Sequence, residues 1–160
     1  MAIRVPKFLT DLYKIARPDP GKLLGWGNNA DVVNIQTGVA FFTGACPSDV
    51  QVGDFVYVAG AGRSVSKVDV FDFAKLPAIG CVTLKAAPTA CVVQTAGLVS
   101  GLFSGLHIGA TYYLGADGRP YLGPPTPTSG ASLFLQAVGV ALDDSTLILS
   151  PSLTVVRIRN

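Results

Sequence analysis

Thr111-Tyr-Tyr-Leu-Gly115, Ala116-Asp-Gly-Arg119 and Pro120-Tyr-Leu-Gly123 follow one another without interruption, so that two aromatic-rich runs flank an Asp-Gly pair. The pair predicts a hairpin, because a two-residue turn that matches strand twist needs positive φ at both central positions. The same texture extends from Gly97 to Pro151 as short apolar runs separated by Gly, Pro and Asp, with few groups able to do chemistry. A stretch built in this way serves shape and contact surface.

Working outward, strand patterns cover 32–36, 38–43, 54–59, 64–72, 79–85, 90–96, 98–103, 111–115, 120–122, 133–142, 146–150 and 154–158. Their connections are short, which makes sequential strands antiparallel neighbours and predicts an all-β antiparallel barrel or sandwich. One internal echo is visible. Ala78-Ile-Gly-Cys-Val-Thr-Leu84, a turn and Ala90-Cys-Val-Val93 resemble Ala137-Val-Gly-Val-Ala-Leu142, a turn and Thr146-Leu-Ile-Leu149. Gly80 and Gly139 stand near the start of each unit, where glycine marks a bulge or a barrel corner.

Composition supports this reading. The 160 residues are most simply one domain with its own core, plus a short appendage. All 10 acidic residues are Asp, which favours turns and caps where Glu favours helices, and 18 Gly and 11 Pro are spread through the chain as punctuation. The charged fraction is 14% beside a hydrophobic fraction of 49%, against about a quarter charged in an average domain. So few charges leave part of the apolar surface to be covered by other chains.

The first 31 residues read as an arm, with the barrel domain over 32–160. Residues 7–17 are the one helix candidate: Phe8, Leu9, Leu12 and Tyr13 lie on a stripe between Pro6 and Pro18. Eleven residues are too few to hold a helix alone, so the segment must dock. The loop-like stretch 18–29 carries Leu23, Leu24 and the only tryptophan, Trp26. Two readings of it stand level: an arm that presents these side chains to another molecule, or a segment folded back over its own barrel with Trp26 as a plug.

The net charge of +2 is too small for a general nucleic-acid binder. The basic residues of the first 22 positions alternate with Asp11 and Asp19 as on a solvated face. No window reaches the ~20 apolar residues of a membrane span, and the start lacks the pattern of a signal peptide. Cys46, Cys81 and Cys91 are an odd set without metal-ligand spacing, which predicts free thiols and assembly in a reducing cytoplasm.

Catalytic constellations are not indicated. His107 is the only histidine and sits in a Gly-flanked turn without a neighbouring carboxylate. Asp69 and Asp72, three apart in an expected strand, would point to opposite faces. Gly60-Ala-Gly-Arg-Ser64 lacks the lysine and the following helix of a phosphate loop and reads as a hairpin turn. Tyr57, Phe71, Phe73, Tyr112, Tyr113, Tyr121 and Phe134 occupy strand positions where core packing and cross-strand pairing account for them. The expectation is a protein that is not an enzyme, with no cofactor and no metal. A hydrolase would have to rest on Cys or Asp pairs brought together by folding, and its mark would be a deep polar pocket around Cys46 or Asp69.

Gly105-Leu-x-x-Gly-x-Thr-Tyr-Tyr-Leu-Gly-x-Asp-Gly-Arg-Pro, with the later Leu135-Gln-x-Val-Gly-x-Ala-Leu and Thr146-Leu-Ile-Leu-Ser-Pro151, resembles a β module that recurs in virion proteins of tailed bacteriophages. It is similar to modules of head decoration, head-fibre and tail-fibre proteins, over roughly residues 78 to 158. The resemblance implies a non-enzymatic homotrimer attached to the particle, with the major capsid protein as partner and neither nucleic acid nor membrane. Fibres usually extend the module with a repetitive shaft, which this chain lacks, so the resemblance points to a capsid decoration, or cement, protein on the virion surface. Phe8, Leu9, Leu12, Tyr13, Leu23, Leu24 and Trp26 are then the capsid-contact candidates. The alternative it leaves is a small head or tail fibre that binds the host cell surface.

Overall fold

A computed structural model describes residues 22–26, 32–36, 40–125 and 132–159. The chain divides into two units, Met1–Thr37 and Gly38–Asn160. In the first unit, β1 (Lys22–Trp26) pairs antiparallel with β2 (Val32–Gln36), with Lys22 opposite Gln36 and Trp26 opposite Val32. This differs from the loop expected over 18–29 and from a boundary at residue 31. Leu23, Leu24 and Trp26 suit a strand once Val32-Val-Asn-Ile-Gln36 lies within hairpin reach, and β2 groups with β1. The expected helix 7–17, with Phe8, Leu9, Leu12 and Tyr13, lies outside the described residues.

The second unit is all-β and contains a closed five-stranded barrel. Its strands are β3 (Ala40–Ala45), β4 (Phe55–Gly60), β5 (Ser64–Lys67), β6 (Gly80–Ala87) and β7 (Ala90–Ser100). The ring runs β3-β5-β4-β6-β7 and back to β3, closed by a parallel contact of Ala45 with Ser64 and an antiparallel ladder between β3 and β7. At Gly97, whose φ of 98° turns the chain, β7 leaves the barrel, and its last residues pair with β12 (Thr146–Leu149). Beyond β12 the sheet continues through β11 (Ala137–Ala141) and β8 (Thr111–Leu114) to β9 (Pro120–Leu122). A separate pair is made by β10 (Ser132–Leu135) and β13 (Val156–Arg159).

Two cores follow from this layout. The barrel interior holds Cys46, Val50, Val56, Val65, Val82, Cys91 and Val93. Outside the barrel wall, Phe55 and Cys81 pack with Val99, Tyr112, Leu114, Leu133, Val138, Leu147 and Leu149 beneath the second part of the sheet. The neighbours Phe55-Val56 and Cys81-Val82 are thus buried on opposite faces of one wall, which is why these runs are continuously apolar. Each such fully buried side chain contributes roughly 1.5–3 kcal/mol.

Several elements depart from the expected pattern for local reasons. The run 133–142 is two strands broken at Gln136, whose buried amide accepts from Ala78 N–H (2.8 Å) and donates to Ala78 O (2.8 Å) and Ser152 O (2.7 Å). The strand expected to Asp72 stops at Lys67, since Asp69 Oδ1 and Asp72 Oδ1 accept from Phe71 N and Ala74 N, each at 3.0 Å, and fold the segment into turns. The β8–β9 hairpin forms where the Asp-Gly pair predicts it, with a different turn. Gly115 N–H donates to Arg119 O at 2.8 Å and only Gly118 of the pair has positive φ, so this is a three-residue loop and not a two-residue one. The Gly60–Ser64 turn joins β4 to β5 as a hairpin.

Candidate functional site

The register of β7, β12 and β11 decides the character of the outer sheet. Val99, Leu147 and Ala141 stand opposite one another in a buried row. The alternate row on the other face is Leu98, Ile148 and Val140, exposed by 52%, 40% and 37%. A sheet with one solvated face normally alternates apolar-in with polar-out. Here both rows are apolar. Leu142, 50% exposed, continues the outer row just past the end of β11, and Thr111 of β8 flanks Val140. Three adjacent strands therefore present a contiguous greasy surface built into rigid sheet.

A second exposed apolar group gathers by the turn after β5. Phe73 packs at a tilt on Phe134 with ring centroids 5.2 Å apart, and the Arg157 guanidinium lies 5.9 Å from the centre of the Phe134 ring. Phe71 and Val156 are also exposed. The expectation that core packing and cross-strand pairing account for the seven aromatic residues holds for the buried Tyr112 and for Tyr121, which stands opposite Tyr113 in the β8–β9 ladder, and fails for Phe71 and Phe73. Phe71 sits in a turn and Phe73 opens the short 3-10 helix Phe73–Lys75, and β9, which carries Tyr121, is the edge of its sheet.

Tyr121, 54% exposed, borders a cleft of about 490 Å³ between the 102–107 loop and the β8–β9 hairpin. Phe103, Ser104, His107, Asp117 and Arg119 also line it. His107 is an exposed turn residue, and its backbone N–H donates to the Tyr112 hydroxyl at 2.9 Å. A second open cleft, of about 410 Å³, includes Asp49, Ser66, Lys67, Asp69 and Lys75.

Two of the carboxylates beside these clefts, Asp69 and Asp117, already have partners. Asp69 and Asp72, expected on opposite faces, are brought together by their turns around one ammonium, with Lys75 Nζ at 3.4 Å and 3.6 Å. The hydrogen bond and charge of Asp69, with help from Asp72, raise the Lys75 pKa above 10.5. Buried Asp54 faces Lys67 Nζ at 3.2 Å and Arg119 Nε at 3.6 Å, and accepts from Gln51 N–H at 2.9 Å. Arg119 also donates to Val52 O at 3.2 Å. This cluster fixes the β8–β9 hairpin to the barrel. Asp117 accepts from Arg119 N–H within its own turn at 3.0 Å. Among the described residues, no group of three or more His, Cys, Asp or Glu side chains converges as a metal set, and no helix is long and apolar enough to cross a membrane.

Comparison with protein-family models, curated proteins and solved structures gives no match. What the geometry offers is therefore read from the chain itself, and it is contact surface. Of the contact candidates, Leu23, Leu24 and Trp26 lie on β1, and the other four fall outside the described residues. The outer row on β7, β12 and β11 was not singled out from the sequence. Its signal is the unbroken run Leu147-Ile-Leu149, which should alternate in a half-solvated strand and does not.

Proposed function

We propose that this chain is a structural protein of a tailed-bacteriophage virion, a capsid decoration protein that self-associates about a threefold axis and binds the outer surface of the head. The observation that carries the reading is the exposed row Leu98–Ile148–Val140, a rigid apolar face without a partner among the described residues. The resemblance over residues 78 to 158 supports it independently. Cementing a shell works by burying apolar area across subunit boundaries, at ~25 cal/mol per Å² before ordering costs. A rigid sheet loses little entropy on docking. The partners in this reading are further copies of the chain and the major capsid protein, and no reaction is assigned.

Co-sedimentation with expanded capsids tests the proposal. The full chain should pellet with shells and raise their resistance to heat, and a chain lacking residues 1–37 should lose binding while its far-ultraviolet spectrum stays that of a β protein. Full occupancy by the truncated chain would remove the arm from the mechanism, and no binding by either would remove the proposal. A second reading, a small head or tail fibre that binds the host surface, is favoured by the cleft beside exposed Tyr121. Binding of the purified protein to whole cells or to a glycan array, abolished by Tyr121→Ala, would select it.

A further inference from the structure

Association about a threefold axis is heterologous: each copy meets its neighbours through two different surfaces, whereas a patch that meets its own twin about a twofold axis gives a dimer. The row Leu98–Ile148–Val140 therefore needs, on the neighbouring copy, a surface other than itself. The second unit carries one whose chemistry matches.

Two layers share the core outside the barrel wall. Val99 and Leu147 enter it from the outer sheet, and Leu133 and Ile158 enter it from the β10–β13 pair. Residues that alternate with these along each strand turn away from the core. They are Leu98 and Ile148 on the sheet, and Phe134 and Arg157, which stand opposite one another, on the pair. The two outer faces are thus distinct surfaces, and both are apolar. On the second, Phe73 lies against the Phe134 ring with 62% of its surface exposed, and Phe71, two residues before it, is exposed as well.

The edges of the two surfaces carry opposite charge. Past Leu142 the row runs into the β11–β12 turn, where Asp144 is exposed and its carboxylate has no ion-pair or hydrogen-bond partner among the described residues. Its backbone is held in place, since Leu106 N–H donates to Asp144 O at 2.9 Å. Beside Phe134 the exposed Arg157 donates from Nε and Nη2 to the Ser132 hydroxyl, at 3.2 Å and 2.8 Å, and stacks over the ring. These contacts fix the plane of the guanidinium and leave its remaining protons for a carboxylate. None pairs with Arg157 among the described residues, and Asp69 and Asp72 are committed to Lys75.

On the reading that the chain self-associates about a threefold axis, we infer that the outer row of one copy docks on the Phe71–Phe73–Phe134 face of the next, with Asp144 of the first paired to Arg157 of the second. Burial of the two apolar surfaces supplies the attraction, and the charge pair fixes which end meets which. Each copy offers one row and one face, so the contact repeats from copy to copy until the ring closes.

Sedimentation equilibrium of the purified full-length chain, without capsids, tests the contact. Ile148→Asp and Phe73→Asp spoil different halves of it, so each variant alone should associate at least tenfold more weakly than the unsubstituted chain. Mixed in equal amounts, the two variants should form a one-to-one dimer and nothing larger. The intact row of the Phe73→Asp variant meets the intact face of the Ile148→Asp variant, and no second contact remains. Asp144→Arg and Arg157→Asp should each weaken association at least tenfold by bringing like charges together, and the double substitution should restore it to within about threefold. Both of these side chains are exposed, so the charge reversal decides the matter if Phe73→Asp fails to fold. Undiminished assembly of the Phe73→Asp variant, or a double substitution no better than the single ones, would overturn the contact while self-association stands. An unsubstituted chain that stays monomeric would overturn both. Assembly as expected without binding to shells would remove the capsid assignment and leave this contact in place.

Discussion

Single residues carry much of the architecture where polar groups are enclosed. Gln136 is buried and joins Ala78 to Ser152, so Gln136→Leu strands one N–H and two carbonyls. A loss of about 2–4 kcal/mol in urea unfolding is expected. Asp54→Asn keeps the acceptor for Gln51 N–H and removes the charge that faces Lys67 and Arg119, whose side chains are 36% and 43% exposed. Both cations can turn to water, which limits the expected loss to about 1–3 kcal/mol. Asp143 accepts from the Ser145 N–H at 2.8 Å, and chiefly this bond holds its carboxyl below the ordinary value of 3.8. A depressed carboxylate stabilises the fold above its unfolded pKa and ceases to as pH falls through the folded value. The melting temperatures of the unsubstituted protein and Asp143→Asn should therefore differ at neutral pH and converge well below 3.8. A constant offset down to about pH 2 would show that the ionised carboxylate is not the cause.

At the level of elements, the echo between the two hairpins has a steric basis. A Cβ on Gly80 would meet Gln94 O of the neighbouring β7, and one on Gly139 would meet Ile148 O of β12. Gly139 also sits at a register shift between β11 and β8, as expected of a glycine inside a strand. Gly80→Ala and Gly139→Ala should each destabilise by about 1–3 kcal/mol, measured by chemical denaturation, since backbone and not a flexible side chain must yield. These positions were legible because glycine in an apolar run has few other uses. The strand end at Lys67 and the break at Gln136 were not, because each depends on a bond made by a side chain whose partner the local pattern does not reveal. Likewise the Asp-Gly pair located a hairpin correctly, while the turn type was decided by Arg119, whose carbonyl pairs with Gly115 and whose guanidinium is drawn to Asp54.

For the whole molecule, an all-β barrel followed from the short connections and the Asp-for-Glu bias, but the division into two cores did not. Phe55-Val56 and Cys81-Val82 read as buried strand without indicating that the faces serve different interiors. The candidate contact surface was legible only as a deficit of charge, and its location required the register that aligns Leu98, Ile148 and Val140. Replacing the central residue, Ile148→Asp, should reduce self-association at least tenfold in sedimentation equilibrium. The monomer should keep its fold, since the side chain is on the outer face. An unchanged assembly would place the subunit contact elsewhere.

One strand, β7, serves as wall to the barrel and as first strand of the outer sheet, so neither layer can open while the other stays shut. In native-state hydrogen exchange the amides of Val93 and Val99, on either side of Gly97, should report the same free energy of opening and share the slowest class, beside faster exchange at Leu122 on the edge strand β9. Unequal opening free energies on the two sides of Gly97 would show instead that the two layers of the second unit unlock one at a time.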